Sequence, residues 1–348
     1  MQKLMWAVVA LMMVVAIVGS IFLLKVPDSG TGRIGGTGEN PIPANGKQTY
    51  RLEVDGVMRE FIVYRPTNVA VEQTLPLVVM FHGSNGSGSL MFRESGWVKM
   101  ADAEGIMVAF PTGLKYHVFA DDKVKHGQVV QNVAEHKTQW NTEDFAQKLD
   151  PAYPDQVLQD DVAFTRALVS FVKDNYATDT SRVYASGFSN GGAFAGELAV
   201  NAPDLFAAIA LTSSGHLSDE TVASRQAGEI DNFVPRPVMI MLGADDQKLT
   251  HGAGVDAFAT DESAVQDGGV LKERMVRGWL GFEGLADEYT FDTAYNTAHF
   301  TYSTSLLGAT NEFQFFIVPR MQHQYPNGNN FRFAVVDIFW PFFEQHSL

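Results

Sequence analysis

The chain has 348 residues, of which 46% are apolar and 19% are charged, so it can bury a core of one large α/β domain or two smaller domains and is not disordered throughout. Its formal net charge of −15 argues against nucleic acid as a partner, because phosphates require a basic surface. Cysteine is absent, which excludes disulfides, zinc–thiolate sites and a cysteine nucleophile.

The first predicted element is an apolar helix at residues 4–24. The segment carries no charge and, as a helix, would be about 30 Å long, which matches the hydrocarbon core of a bilayer. The apolar run continues beyond Gly19 and Ser20, so residues 1–25 are predicted to be an uncleaved signal anchor, with a cleaved signal peptide as the alternative. In both cases the rest of the chain is expected outside the cytoplasm, either held at the membrane or secreted or periplasmic.

Residues 26–47 are rich in glycine, proline and polar residues, and they are predicted to be a flexible linker. Residues 30–35 formally match the dinucleotide pattern G-x-G-x-x-G. That pattern requires a strand before it and a helix after it, and neither is predicted, so nucleotide binding is not expected. The folded domain is assigned to residues 48–348.

Predicted strands and helices alternate through this domain. Residues 50–54 and 57–64 are predicted to pair around an Asp-Gly turn. Short apolar runs, typical of strands buried on both faces of a parallel sheet, follow at 75–81, 106–110, 183–186, 207–211, 238–242 and 313–318. Helices are predicted from an apolar stripe between 158 and 176 and at 190–200, 270–280 and 331–343. The alternation predicts an α/β fold with a mostly parallel, doubly wound sheet.

Residues 187–191 read Gly-Phe-Ser-Asn-Gly and match the G-x-S-x-G pattern of a nucleophile elbow. A predicted strand precedes the pattern and a predicted helix follows it, which is the context that the elbow requires. Flanking glycines relieve crowding in the sharp turn, and a helix N-terminus favours developing negative charge. Ser189 is therefore predicted to be the nucleophile. An ordinary glycine-rich turn between a strand and a helix is the alternative.

A second glycine-rich loop, residues 82–88, follows the predicted strand 75–81. Beside such an elbow, the loop after the third strand and the residue after the nucleophile each donate a backbone N–H to the oxyanion. Ser84 and Asn190 are predicted to be these donors. Because only their backbones are needed, exchange for other small residues is expected to have little effect. His82 is predicted to be structural, since the base is expected later in the chain.

The acid and the base are expected after the serine, in that order. The predicted strand 238–242 runs into a Gly-x-x-Asp sequence that favours Asp246 as the acid. The alternatives for the acid are Asp245, Asp256, Asp261 and Glu262. His323 follows the last predicted strand and is predicted to be the base, which takes the Ser189 proton while Asp246 orients the imidazole. No His-Glu-x-x-His sequence is present, so neither a metal nor a cofactor is expected.

These motifs resemble those of the α/β-hydrolase group that contains bacterial polyhydroxybutyrate depolymerases and feruloyl or acetylxylan esterases. The resemblance extends from about residue 50 to the C-terminus, and its most specific parts are residues 161–168 and the sequence Gly-Phe-Ser-Asn-Gly-Gly at 187–192. It implies an α/β-hydrolase fold with Trp140 and Tyr325 at the substrate pocket. Core packing is the alternative for Trp140.

Two differences from the family pattern lie near the expected pocket. Residues 114–139, which are polar and rich in His and Lys, look inserted between a Pro-Thr-Gly and a Trp-Asn motif. Ser84 stands at the oxyanion loop, where members of the family often have a cysteine. These two differences leave the identity of the substrate open. The base motif also departs from the family's, with Gln322 in place of glycine and Tyr325 in place of tryptophan.

The motifs together predict a serine carboxylic-ester hydrolase that forms an acyl-enzyme with polyhydroxyalkanoate-type or feruloyl and acetyl esters. A serine peptidase of the same fold and a non-catalytic binding protein are the alternatives. The expected partner is a small-molecule or oligomeric ester. No obligate protein partner is predicted, and a membrane is expected to bind only through an uncleaved N-terminal helix.

Overall fold

The computed structural model describes residues 23–25, 43–120, 123–125, 128–130, 133–143, 145–230 and 233–348. Its strands are β1 Leu23–Lys25, β2 Gly46–Val54, β3 Val57–Arg65, β4 Leu75–Phe81, β5 Met107–Pro111, β6 Leu114–Ala120, β7 Lys123–Lys125, β8 Gln128–Val130, β9 Val133–Gln139, β10 Thr178–Phe188, β11 Ala208–Thr212, β12 Val238–Gly243, β13 Thr290–Asp292, β14 Ala298–Tyr302 and β15 Phe313–Val318. Its α-helices are α1 Gly88–Glu94, α2 Trp97–Glu104, α3 Asp161–Asn175, α4 Asn190–Asn201, α5 Asp219–Gln226, α6 Gln247–Ala253, α7 Arg277–Glu283 and α8 Val336–Phe343. Short 3₁₀ helices lie at Phe145–Lys148, Glu262–Val265 and Ala294–Asn296, and a π-helical turn lies at Lys272–Val276.

One large sheet organises the domain, and its strands follow the order β1-β2-β3-β5-β4-β10-β11-β12-β15-β14-β13. The central strands from β5 to β15 pair in parallel, and antiparallel strands flank them on both sides. The prediction of a mostly parallel sheet is therefore confirmed. Because all the parallel strands point the same way, the loops that follow them meet along one edge of the sheet.

Helices cover both faces of this sheet. Alternate residues of β4 belong to different apolar clusters, since successive side chains of a strand point to opposite faces. Helices α3, α4 and α7 pack on one face through Phe164, Phe194 and Trp279. Helices α1, α2 and α8 pack on the other, where Trp97 and Phe339 are fully buried. This layering is the doubly wound arrangement that the alternating pattern predicts.

The N-terminal predictions fall mostly outside the described residues, which exclude positions 1–22 and 26–42. Leu23 and Leu24, the predicted end of the apolar helix, instead lie in β1, because their backbones pair with β2 at Leu52 and Arg51. No helix among the described ranges is long and apolar enough to cross a membrane. The linker also ends earlier than predicted, since β2 begins at Gly46 and pairs there with β3.

The described strands of the apparent insertion at residues 114–139 form antiparallel pairs, which we call the hairpin arm. Strand β6 pairs with β9 along its whole length, and β7 pairs with β8 farther out. Tyr116 and Val118 alternate with more exposed residues along β6 and are buried in a small apolar cluster with Phe145. This alternation is typical of a strand with one buried face, and the sequence analysis did not use it.

Two predicted helices have different limits in the structure. The apolar stripe predicted from residue 158 forms α3 only from Asp161, because the Asp160 side chain accepts a hydrogen bond from the Ala163 N–H and caps the helix. The predicted helix 331–343 begins only at Val336. Residues 331–333 instead form a bend in which the guanidinium of Arg332 lies over two phenylalanine rings.

Candidate active site

Four loops meet at the carboxyl edge of the parallel strands, after β4, β10, β12 and β15. Strand β10 lies between β4 and β11, and β12 lies between β11 and β15. The loops therefore bring together residues that are far apart in the chain. In open α/β sheets, this edge is the usual location of a binding site.

The turn between β10 and α4 holds Ser189 in a strained conformation, with φ 54° and ψ −123°. The turn requires glycine on both sides. A Cβ atom at Gly187 would lie 2.2 Å from the Gly191 carbonyl oxygen, and one at Gly191 would lie 2.3 Å from the His82 carbonyl oxygen. The Ser189 N–H donates to the Thr212 carbonyl at 3.0 Å, which ties the turn to β11. These contacts hold the Ser189 side chain at the N-terminus of α4.

The structure brings Ser189, His323 and Asp246 together in one hydrogen-bonded chain. His323 Nε2 lies 2.8 Å from Ser189 Oγ, and His323 Nδ1 lies 2.8 Å and 3.0 Å from the two carboxylate oxygens of Asp246. The histidine is partly exposed, with 16% of its side chain accessible, whereas the carboxylate is fully buried. In this arrangement Nδ1–H donates to the carboxylate, which leaves Nε2 free to accept the serine proton.

The candidate acid is held by the start of helix α6. Asp246 caps this helix, and its Oδ1 accepts a hydrogen bond from the Lys248 N–H at 3.1 Å. Close packing of β12 against the loop after β15 requires Gly243, where a Cβ atom would lie 2.2 Å from the Met321 carbonyl oxygen. Asp245 donates its own N–H to that carbonyl. Within the described residues, none of Asp245, Asp256, Asp261 and Glu262 forms a hydrogen bond with His323.

Both predicted oxyanion donors lie at this site. Ser84 and His323 line the same cleft, and Asn190 is the residue after Ser189. Among the described residues, no carbonyl or side chain accepts a hydrogen bond from either backbone N–H. The expectation that only their backbones matter does not account for their side chains, which both have partners: Ser84 Oγ donates to Gln139, and the Asn190 amide bonds to the backbone of Trp140.

His82 supports the loop that carries Ser84. Its ring is fully buried, and Nε2 accepts a hydrogen bond from the Gly113 N–H at 2.9 Å. Nδ1 therefore carries the proton, and it donates to the Gly83 carbonyl at 2.7 Å. Burial lowers the pKa of His82 to about 4, so the ring is neutral near pH 7. Its packing beneath the loop agrees with the predicted structural role.

The two predicted pocket residues have different positions. Trp140 does not line the cleft, because its ring is fully buried, stacks on Phe194 at 5.4 Å and donates its indole N–H to the His82 carbonyl. The alternative of core packing is therefore correct for Trp140. Tyr325 does line the cleft. Its ring meets Phe188 edge-on, and its hydroxyl points inward, where burial raises its pKa.

The cleft beside His323 has a volume of about 300 Å³. Its lining combines apolar side chains from α1 and the elbow with amide side chains from the loops after β4 and β15. The apolar residues are Leu90, Met91 and Phe188, and the amide residues are Asn85, Gln324, Asn327 and Asn330. Glu94, at the end of α1, is the lining carboxylate, and neither Lys nor Arg is among the lining residues in the described part of the chain. Glu94 and Gln139 could not be predicted from the sequence, because no local motif marks either residue.

No group of three or more His, Asp or Glu side chains in the described ranges could hold a metal ion. The arrangement at the sheet edge instead offers a hydroxyl, an imidazole and a buried carboxylate in sequence. These groups can perform proton transfer and nucleophilic attack.

Comparison with known proteins places the chain in a family. Residues 56–266 match the profile of the family described as "Putative esterase". The chain belongs to this family. The matched region contains the elbow, the loop after β4 and Asp246, and the order of serine, acid and histidine along the chain is the order found in α/β-hydrolases.

Individual relatives have related names. Putative esterase NocK of Nocardia uniformis subsp. tsuyamanensis is 30% identical over 200 residues, which are 58% of this chain and 48% of that protein. Feruloyl esterase B of Piromyces equi is 27% identical over 197 residues, which are 57% of this chain and 31% of that protein. The alignments thus span half or less of these curated relatives. Among solved structures, an acetyl xylan esterase from Aspergillus awamori has a TM-score of 0.48 at 16% identity, covering 93% of this chain and 100% of that one.

Proposed function

We propose that the protein is a serine carboxylic-ester hydrolase in which Ser189, His323 and Asp246 form the catalytic triad. The observation that carries the proposal is the pair of 2.8 Å contacts that His323 makes with Ser189 Oγ and with Asp246. The membership in the putative esterase family supports the same reaction class. A serine hydroxyl is a weak nucleophile, so it needs a base at this distance.

The proposed reaction has two halves. In the first, Ser189 Oγ attacks the ester carbonyl carbon while His323 Nε2 takes the hydroxyl proton, and Asp246 stabilises the imidazolium. The carbonyl oxygen becomes an oxyanion, which accepts hydrogen bonds from the backbone N–H groups of Ser84 and Asn190. The carbon–oxygen bond to the alcohol then breaks, and His323 returns the proton to the leaving alcohol. In the second half, water attacks the acyl-enzyme by the same steps and releases the acid.

The proposed substrates are acetyl or feruloyl esters, because the relatives include proteins named feruloyl esterase and acetylxylan esterase. Polyhydroxyalkanoate-type esters enter the proposal through the motif resemblance alone. The cleft lining of apolar and amide side chains is compatible with neutral esters that also carry hydroxyl groups. We propose that the protein works outside the cytoplasm, as the apolar N-terminal sequence indicates.

The proposal is tested with a substrate panel and the full-length protein. The panel contains p-nitrophenyl acetate and butyrate, methyl ferulate, 3-hydroxybutyrate oligomers and a chromogenic peptide amide. We expect turnover of at least one ester, and a loss of roughly 10³-fold or more in kcat for Ser189→Ala. Cleavage of the peptide alone, or equal ester turnover by the wild-type protein and Ser189→Ala, would contradict the proposal.

A further inference from the structure

Residues 138–140, which we call the buttress segment, run from the end of strand β9 in the hairpin arm into the core. On one side they contact the loop after β4. Ser84 Oγ donates to Gln139 Oε1 at 2.9 Å, and the Asn85 N–H donates to the Thr138 carbonyl at 2.9 Å. Thr138 and Gln139 are both buried. Two successive residues of the loop after β4, Ser84 and Asn85, are therefore hydrogen-bonded to the buttress segment. Ser84 is one of the two proposed oxyanion donors.

On its other side the buttress segment contacts the nucleophile elbow. The Trp140 N–H donates to Asn190 Oδ1 at 2.7 Å, and Asn190 Nδ2 donates to the Trp140 carbonyl at 3.2 Å. The Asn190 side chain thus bonds to both the N–H and the carbonyl of Trp140. Asn190 also carries the second proposed oxyanion donor, so adjacent residues of one segment hold the side chains of both donor residues.

The buttress segment is itself fixed to the core. The Trp140 indole N–H donates to the His82 carbonyl at 2.8 Å, and its ring is fully buried. The next residue, Asn141, donates its N–H to Asp161 Oδ2 at 2.7 Å. Asp161 forms a buried ion pair with Arg59. These contacts make the segment a rigid support rather than part of a loose loop.

We propose that the buttress segment positions the oxyanion hole, and that Gln139, Trp140 and the Asn190 side chain are positioning groups for ester hydrolysis. The inference rests on the proposed function, because it concerns the donors that would stabilise the oxyanion. The supporting groups are neutral and act through geometry. Stabilisation of a developing oxyanion depends on where the N–H donors point, and small displacements of a donor lower kcat more than substrate binding.

The first test removes the Asn190 amide. For Asn190→Ala we expect kcat to fall about 10- to 100-fold with KM changed less than about threefold, since the backbone N–H remains but loses its support. The affinity for an alkyl boronic acid, which forms a tetrahedral adduct with the serine, should fall by about the same factor as kcat/KM. The matched control is Asn175→Ala, which removes an amide that donates to the Phe171 carbonyl in α3. It should leave kcat and boronate affinity unchanged.

The second test removes the contact between the buttress segment and Ser84. It remains informative even if Asn190→Ala does not fold. Ser84→Ala and Gln139→Leu each remove the same hydrogen bond from opposite ends. We expect each to lower kcat about three- to tenfold, and the double variant to be no worse than the poorer single variant, because the two residues act through one contact. Thermal unfolding of each variant separates loss of fold from loss of kcat.

The outcomes are distinguishable. Independent, multiplicative effects of Ser84→Ala and Gln139→Leu would overturn the inference, as would an Asn190→Ala variant with unchanged kcat and boronate affinity. In both cases the wild-type protein would still hydrolyse esters. If instead the wild-type protein neither hydrolyses esters nor binds the boronic acid, the proposed function is wrong, and the inference is rejected with it.

Discussion

His82 and His323 occupy comparable positions with opposite surroundings. Each follows a parallel strand of the same sheet, His82 after β4 and His323 after β15, and each lies at the edge where the loops meet. The His82 ring is fully buried, and backbone groups bond to both of its nitrogens. The His323 ring is partly exposed, and its nitrogens face a carboxylate and a hydroxyl.

The difference shows that the partners of the ring nitrogens decide what a histidine can do. A ring whose nitrogens are both bonded to the backbone cannot gain a proton without losing a hydrogen bond, and the pKa of His82 is lowered to about 4 by its burial. A ring with Nδ1 on a carboxylate and Nε2 on a hydroxyl can take a proton and return it. His82 therefore stabilises the loop after β4, and His323 is the candidate base.

The sharpest way to separate the two histidines is the same substitution at both positions. His323→Leu should lower ester turnover about 10⁴-fold or more, as expected when a triad member is lost. His82→Leu should lower turnover far less but destabilise the fold by about 2–5 kcal/mol, because it leaves the Gly113 N–H and the Gly83 carbonyl buried without partners. Steady-state kinetics and urea unfolding measure the two quantities. Equal activity losses at both positions would remove the distinction.

The carboxylate beside His323 gives the next largest effect. Asp246→Asn should lower kcat about 10²- to 10⁴-fold, because the amide cannot hold the tautomer that leaves Nε2 unprotonated. Asp245→Asn, the neighbouring change of the same kind, should cost less than about tenfold, since Asp245 does not bond to His323. Measurement of kcat at saturating substrate compares them, with circular dichroism as the check on folding. A larger loss for Asp245→Asn would mean that the acid is assigned one residue too late.

The pH dependence of stability tests whether the buried His82 ring is held neutral. His82 has a folded-state pKa near 4 and an ordinary value of 6.5, so between these values the unfolded chain binds a proton that the folded protein does not. Burial of the neutral His82 ring therefore contributes about 3 kcal/mol to the free energy of unfolding above pH 6.5. This contribution is lost as the pH falls towards 4. Urea unfolding between pH 7.5 and 4.5 should show a shallower decline for His82→Leu than for wild type. Parallel curves would show that His82 is not held neutral.

The smallest predicted effect concerns the cleft beside the partly exposed His323. Glu94 lines the cleft beside His323 and is exposed, so water screens its charge. Glu94→Gln should lower the ratio of kcat/KM for a cationic ester over its uncharged isostere, such as butyrylcholine over 3,3-dimethylbutyl butyrate, about threefold. Glu104→Gln makes the same charge change on α2, away from the cleft lining, and should leave the ratio unchanged. Equal ratios for Glu94→Gln and wild type would assign no role to this carboxylate.

Much of the fold could be predicted because buried parallel strands have a direct signature in the sequence. The apolar runs at 75–81 and 313–318 coincide with β4 and β15. The Asp-Gly turn between β2 and β3 also has a clear local cause, since Asp55 and Gly56 both adopt positive φ. The positions of Ser189, Asp246 and His323 follow from the order of loops at one sheet edge, which the order of strands determines.

The features that sequence reasoning missed depend on contacts between distant residues. The burial of Trp140 follows from its stacking on Phe194 and its bond to His82, neither of which is a neighbour in the chain. The role of the Asn190 side chain depends on the position of residue 140 beside the elbow. The hairpin arm was predicted only as a polar insertion, because histidine and lysine content obscured the short alternation along β6.

In the proposed triad, Ser189 is the nucleophile and His323 activates it. The most direct measurement is labelling of the full-length protein with a fluorophosphonate, followed by peptide mapping by mass spectrometry. We expect one adduct, on Ser189, that forms slowly or not at all in His323→Leu and is absent in Ser189→Ala. An adduct on another residue, or unchanged labelling of Ser189→Ala, would contradict it.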